Sequence, residues 1–142
     1  MSTERILVAV SKDIADAARP SLEAAGIGAE IVQVDDGARG LTAFVKLLRV
    51  RQPPLLVVLD ASHERLPGTR AARAMRAVER GFEMEAVPIL FYTAGAADES
   101  MRGALAQLGR AVHLKRPDDA SMAEQAVRMT KAIVKLLQKV RG

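Results

Sequence analysis

The chain has 142 residues and no cysteine, so one domain is expected, and disulfides, thiolate metal sites and cysteine nucleophiles are excluded together. No apolar run approaches the roughly 18–20 residues that cross a bilayer, and four aromatics, Phe44, Phe82, Phe91 and Tyr92, are too few for single-strand nucleic-acid binding by base stacking. The net charge of +4 is uneven: residues 125–142 hold Arg128, Lys131, Lys135, Lys139 and Arg141 and no acid, so that segment alone contributes +5.

The start, Met1-Ser2-Thr3-Glu4-Arg5, runs straight into an apolar segment without a small-residue cleavage site, so a cytoplasmic domain without a leader is expected. Ile6 to Val10 is the first compact β-rich run. A helical stretch follows, and Pro20 within it deletes a hydrogen bond at a cost of roughly 3 kcal/mol, which predicts a kink or a late start. Gly26-Ile27-Gly28 has the look of a dinucleotide loop, but it precedes the second strand and lacks a third glycine.

Glu30 to Val34 is the second strand, closed by the turn signal Asp35-Asp36-Gly37. A helix then puts Phe44, Leu47 and Leu48 on one face. Leu55 to Leu59, behind Pro53-Pro54, is the strongest strand. Thr69 to Val78 is a helix with Ala71, Ala72, Met75 and Val78 at helical spacing. Ile89 to Tyr92 follows Pro88 as the fourth strand, Ser100 to Leu108 is helical, and Ala111 to Leu114 is a weaker fifth strand.

The last helix, about 121–141, opens with the capping box Ser121-x-x-Glu124. Met122, Ala126, Met129, Ile133, Leu136, Leu137 and Val140 form its apolar stripe, opposite the basic residues. The helices between strands are expected to run 12 to 20 residues.

Strands read as continuous apolar runs when helices cover both faces of the sheet. Five β–α alternations with right-handed crossovers predict a single three-layer α/β sandwich over 1–142, with a parallel five-stranded sheet and helices on both faces. Ligands of such folds sit at the carboxyl ends of the strands. There the third strand delivers Asp60, the fourth Thr93 and the fifth Lys115. A carboxylate can attack a phosphoryl group, while an ammonium and a hydroxyl can hold the phosphoryl oxygens.

With these residues the chain resembles the receiver domain of two-component response regulators over nearly its whole length. Pro54 to Asp60 is similar to the family's strand leading to its phosphorylated aspartate. Leu66-Pro67-Gly68 resembles the loop after it, Val87 to Ala94 the strand ending in a Thr/Ser-Ala pair, and Asp36-Gly37 the start of the second helix. Lys115 and Pro117 resemble the lysine-proline end of the fifth strand, with Arg116 inserted. The resemblance implies the flavodoxin-like strand order 2-1-3-4-5 and a stand-alone receiver with Asp60 as phosphoacceptor. It implies no enzyme beyond self-phosphorylation and dephosphorylation, and a histidine kinase or other signalling protein as partner.

The chain departs from the family's pattern at the acid pair that helps bind Mg²⁺. Ser11 and Lys12 stand there, or Val10 and Ser11 if the register shifts by one. Asp13 and Asp60 are left as candidate metal ligands, and Mg²⁺ held by so few carboxylates would be weak. Lys12 either points into water or joins Lys115 in facing Asp60 in place of the metal, favouring the ionised carboxylate. These departures open a second reading, a pseudo-receiver that works without phosphorylation.

Val112 replaces the family's aromatic switch residue three positions before the lysine. The loop after Asp60 is longer than usual; Ser62 lies in it beside the pocket, and His63 is read as an exposed loop histidine. His113 is expected to pack in or beside the last strand. The output surface implied lies on the fourth and fifth helices and the strand between them, with Val112, Arg128, Lys131, Lys135 and Lys139. The basic residues suit an acidic protein partner, while neither membrane nor nucleic acid is expected. The stripe ending in Leu136, Leu137 and Val140 either packs on its own domain or serves a homodimer.

Overall fold

The computed structural model describes residues 4–60, 68–93, 99–116 and 119–141, without the side chains of Val140 and Arg141. Its elements run β1 (Arg5–Ala9), α1 (Lys12–Ala24), β2 (Glu30–Val34), α2 (Gly37–Arg49), β3 (Leu56–Leu59), α3 (Gly68–Gly81), β4 (Ile89–Thr93), α4 (Glu99–Leu108), β5 (Ala111–Lys115) and α5 (Met122–Arg141). All strand pairs are parallel, in the order β2-β1-β3-β4-β5.

Because side chains alternate across a strand, each buried strand feeds two cores. Ile6, Val8, Val10, Leu56, Val58, Leu90 and Tyr92 meet α1 and α5 on one face. Leu7, Ala9, Val57, Leu59, Ile89 and Phe91 meet α2, α3 and α4 on the other. Continuous apolar runs are the sequence's record of this two-sided burial.

Helix starts follow the capping chemistry. Ser11 caps α1, its Oγ accepting from the Ile14 N–H. Buried Asp36 caps α2, Oδ1 accepting from the Arg39 N–H at 2.7 Å. Ser121 Oγ accepts from the Glu124 N–H at 3.1 Å as α5 begins. Gly40 of α2 lets that helix approach the sheet closely; a Cβ there would lie 3.3 Å from Ala9 Cβ.

Some expectations change. Helix α1 starts at Lys12, not late, and carries Pro20 inside it. Both Pro20 and Asp16, whose carbonyl loses its helical donor, are exposed, so water can take that acceptor. Helix α4 has 10 residues, shorter than expected. Met122 is 40% exposed and leaves the apolar stripe of α5, whereas Leu136 and Leu137 are buried in the core shared with α1.

One buried polar cluster stands at the end of the sheet opposite Asp60. Arg76 of α3 donates to both carboxylate oxygens of Glu79, at 2.8 and 3.1 Å, and to the carbonyls of Leu108 and Gly109, each at 2.9 Å. Glu79 also accepts from the Val87 N–H ahead of β4. These charges join α3, the end of α4 and the entry to β4.

Candidate functional site

β3, β4 and β5 end side by side, and neighbouring strands lie about 4.8 Å apart. Asp60 follows Leu59, and its N–H donates to the Ala9 carbonyl at 3.3 Å, which extends the β1–β3 ladder by one step. Thr93 closes β4 directly opposite Lys115, the last residue of β5. Asp60, Thr93 and Lys115 therefore occupy three adjacent strand ends on one edge of the sheet. Asp60 and Thr93 are half-buried, and the Lys115 side chain is exposed. Asp60 and Lys115 are two strand spacings apart, about 10 Å between backbones, a gap that a carboxylate and an extended lysine can close from either side.

A second layer supports this edge. Tyr92, buried on the α5 side of β4, donates its hydroxyl to Gln125 Oε1 at 2.8 Å, and Gln125 Nε2 donates to the Ala120 carbonyl at 3.2 Å. Burial raises the Tyr92 pKa above 10.0, with Asp60 adding to the rise and Arg116 and Arg128 opposing it. The phenol stays protonated across physiological pH and ties the end of β4 to the start of α5. The Arg116 N–H donates to the Thr93 carbonyl at 2.5 Å, so the inserted arginine continues the β4–β5 pairing.

Thr93 has a partner that sequence reading missed. Its Oγ1 lies 2.6 Å from His113 Nε2. His113 stands two residues before Lys115, on the same face of β5, and Thr93 is opposite Lys115. The two are diagonal neighbours across the β4–β5 ladder. The spacing His113-x-Lys115 was the available signal, but it becomes a contact only once the register is known. Burial lowers the His113 pKa below 6.5, so the ring is neutral at physiological pH.

On the β1 side, the residue level with Asp60 is Val10, one step beyond the Ala9–Leu59 pair. Val10 is buried in the α1–α5 core, and its carbonyl accepts from Gln33 Nε2 at 2.9 Å. Ser11 spends its hydroxyl on the α1 cap. Lys12 and Asp13 are exposed in the first turn of α1, and Lys12 takes part in none of the ion pairs among the described residues. Ser62, His63, Glu64, Arg65, Leu66, Pro67, Ala94 and Pro117 lie outside the described residues.

A divalent cation needs several oxygen ligands, and Mg²⁺ prefers carboxylates together with waters. Among the described residues no group of three or more His, Asp or Glu is placed to hold a metal. Val10, one step beyond the Ala9–Leu59 pair and so level with Asp60, has no side-chain oxygen to offer, and the described residues by themselves do not supply the donor set of a tightly held Mg²⁺.

The proposed output residues lie along α5 and β5. Arg128, Lys131, Lys135 and Lys139 are exposed, and Val112 is half-buried. A groove of about 340 Å³ runs between them, lined by Val112, Ala132, Lys135, Leu136 and Lys139. Among the described residues no helix is long and apolar enough to cross a membrane.

No family model matches the chain, and no curated protein matches it. Solved structures do. The receiver domain of the histidine kinase CKI1 from Arabidopsis thaliana, complexed with Mg²⁺ and BeF₃⁻, has a TM-score of 0.73 at 17% identity, over 96% of this chain and 90% of that one. The phosphorylated cyanobacterial phytochrome response regulator RcpA has 0.71 at 13% identity, over 98% and 96%. The Vibrio cholerae chemotaxis protein CheY4 has 0.65 at 21% identity, over 98% and 99%. Topology and neighbours agree: the chain has the flavodoxin-like fold of response-regulator receiver domains.

Proposed function

We propose that the chain is a receiver module of two-component signalling in which Asp60 accepts a phosphoryl group. The observation that carries this reading is the alignment of Asp60, Thr93 and Lys115 on three adjacent strand ends. A carboxylate oxygen of Asp60 attacks the phosphorus of a phosphohistidine or a small acyl phosphate. A new O–P bond forms, the donor's P–N or P–O bond breaks, and the imidazole or carboxylate leaves with the electron pair. The Lys115 ammonium offsets charge on the phosphoryl oxygens, and a hydroxyl such as that of Thr93 donates to one of them.

Mg²⁺ is a cofactor of receivers by resemblance, and the CKI1 receiver was captured with it. By the resemblance, acids would be needed where Ser11 and Lys12 stand, or Val10 and Ser11 if the register shifts by one, so weak binding of the ion is the expectation. No step is assigned to the ion. Incubation with acetyl phosphate and excess Mg²⁺, followed by intact-protein mass spectrometry, tests the proposal. One added phosphoryl mass is expected, lost in Asp60→Asn. A folded protein with no adduct at saturating donor refutes it.

The replacement of the family's acid pair by Ser11 and Lys12, with Val112 in place of the aromatic, favours a second reading, an interaction module that needs neither phosphate nor metal. Its mark is partner binding that survives Asp60→Ala. On either reading the output is a protein contact through α4, β5 and α5. The cations Arg128, Lys131, Lys135 and Lys139 suit an acidic partner surface. Leu136 and Leu137 are covered by the chain's own core, so these two members of the stripe offer little to a homodimer through α5, and the cations on its exposed face would repel their copies. Light scattering at low and high salt tests for it.

A further inference from the structure

We propose that the outward faces of α2 and α3 form a cationic platform that binds the phosphate backbone of double-stranded nucleic acid without reading its sequence. This platform does not depend on Asp60 and goes beyond the phosphoacceptor reading.

The fold separates charges that cancel when counted along the chain. Helix α2 carries Arg39, Lys46 and Arg49 and no acid. Helix α3 carries Arg70, Arg73, Arg76 and Arg80 against a single acid, Glu79. Arg76 and Glu79 are buried and paired with each other, so neither reaches the surface. The other cations of both helices are exposed, opposite the sides that bury Phe44 and Leu48 of α2 and Ala72 and Met75 of α3.

Two rows result. Arg39 and Arg70 are each the third residue of their helix, and Arg49 and Arg80 each follow ten residues later. Each row is about 15 Å long at the helical rise. The helices pack on each other, which puts their axes about 8–10 Å apart. Beyond the rows, Arg51 donates to the Phe82 carbonyl at 3.0 Å and stacks over the Phe82 ring, tying the two helix ends together. Arg39 is shared with Asp35, and Arg73 donates to Gln107 at 3.4 Å. Lys46, Arg49, Arg70 and Arg80 enter none of the ion pairs among the described residues.

The chemistry favours phosphate. All of these cations but Lys46 are arginines, whose planar fork donates to two phosphate oxygens at once. The exposed residues between them are Thr42 and Ala77, and no exposed large apolar side chain lies within the rows. A protein interface is built on an apolar centre, and a membrane-surface helix on an apolar face to bury; these rows offer neither. Nucleic-acid interfaces are polar and strongly positive. Scarce aromatics argue against single strands, but a duplex held by its backbone needs none. Nucleic acid, not expected from the sequence, is thus the partner this face fits.

The test uses the full chain and labelled mixed-sequence DNA and RNA duplexes, titrated by fluorescence anisotropy between about 50 and 200 mM salt. One variant joins Lys46→Gln, Arg49→Gln, Arg73→Gln and Arg80→Gln. A second, with the same net charge, joins Arg128→Gln, Lys131→Gln, Lys135→Gln and Lys139→Gln on α5. The wild type is expected to bind with a Kd of about 10⁻⁴ to 10⁻⁶ M. The first variant should weaken binding at least about tenfold and flatten the slope of log K against log salt by about 3–4, near 0.9 per lost phosphate contact. The α5 variant should weaken it less than about threefold, since α5 lies across the sheet and charges there are screened within about 10 Å. Thr42→Glu with Ala77→Glu keeps every cation and should also weaken binding, which decides the matter should the first variant fail to fold. Duplex binding lost in these variants supports the platform, and the tighter duplex identifies its source. No duplex binding by the wild type at low salt overturns it, as do equal losses in the two charge-matched variants or a loss confined to α5. Binding of phosphatidylserine vesicles in place of duplex, lost with the α2 and α3 cations, assigns the face to a membrane and overturns the proposal.

Discussion

Replacing Glu79 by alanine should be among the most damaging single changes outside the core. Glu79 is 2% exposed and Arg76 is 7% exposed. The substitution removes both charge-assisted bonds from Arg76 and leaves a guanidinium buried with only the Leu108 and Gly109 carbonyls. It also strips the buried Val87 N–H of its acceptor. Breaking a buried ion pair by removing one partner costs about 3–5 kcal/mol, a large part of the roughly 5–15 kcal/mol that holds a domain folded. Chemical denaturation read by circular dichroism measures it. Asp35→Ala provides the contrast, since its pair with Arg39 is 65% exposed on both sides and is worth under about 1 kcal/mol. The double change Arg76→Met, Glu79→Leu should cost less than Glu79→Ala alone, because it leaves no charge behind. A loss below about 1 kcal/mol for Glu79→Ala would refute the claim that this cluster is desolvated.

Three further outcomes follow from local geometry. Asp36→Ala removes the buried cap of α2 and should cost about 1–2 kcal/mol in the same assay. Gly40→Leu drives a side chain against Ala9 Cβ, which cannot yield without moving β1, and should cost about 1–3 kcal/mol. Folding lowers the proton affinity of His113, so below its ordinary 6.5 the unfolded chain binds the extra proton first. The stability His113 contributes is complete above 6.5 and falls as pH drops through 6.5 toward the lower folded value. His113→Val should flatten the stability profile over that window in denaturation curves, and an unchanged slope would contradict the assignment.

Much of this was readable without coordinates because the signals were redundant. Leu55 to Leu59 behind two prolines could only be an interior strand, and the polar residue that ends it, Asp60, marks the sheet edge. Ser121 announced its helix by side-chain chemistry alone, whereas Asp36 was read as a turn residue and only the resemblance made it the start of a helix. What stayed hidden depended on register and tertiary contact. The His113–Thr93 bond needs Thr93 placed opposite Lys115. The Arg76–Glu79 pair reads as an ordinary exposed i,i+3 pair until the end of α4 and Val87 close over it. That Val10 stands level with Asp60 follows only from the Ala9–Leu59 pairing. Met122 fits the stripe by spacing yet is 40% exposed, since the first turn of α5 extends beyond the core.

The central claim is that the strand-end carboxylate at position 60 is the acceptor. Borohydride reduction of the acetyl phosphate-treated protein converts an acyl phosphate on aspartate to homoserine, which peptide mass spectrometry locates. Homoserine in place of Asp60, and nowhere else, is the predicted result; a modified residue elsewhere, or none in protein that remains folded, would contradict it.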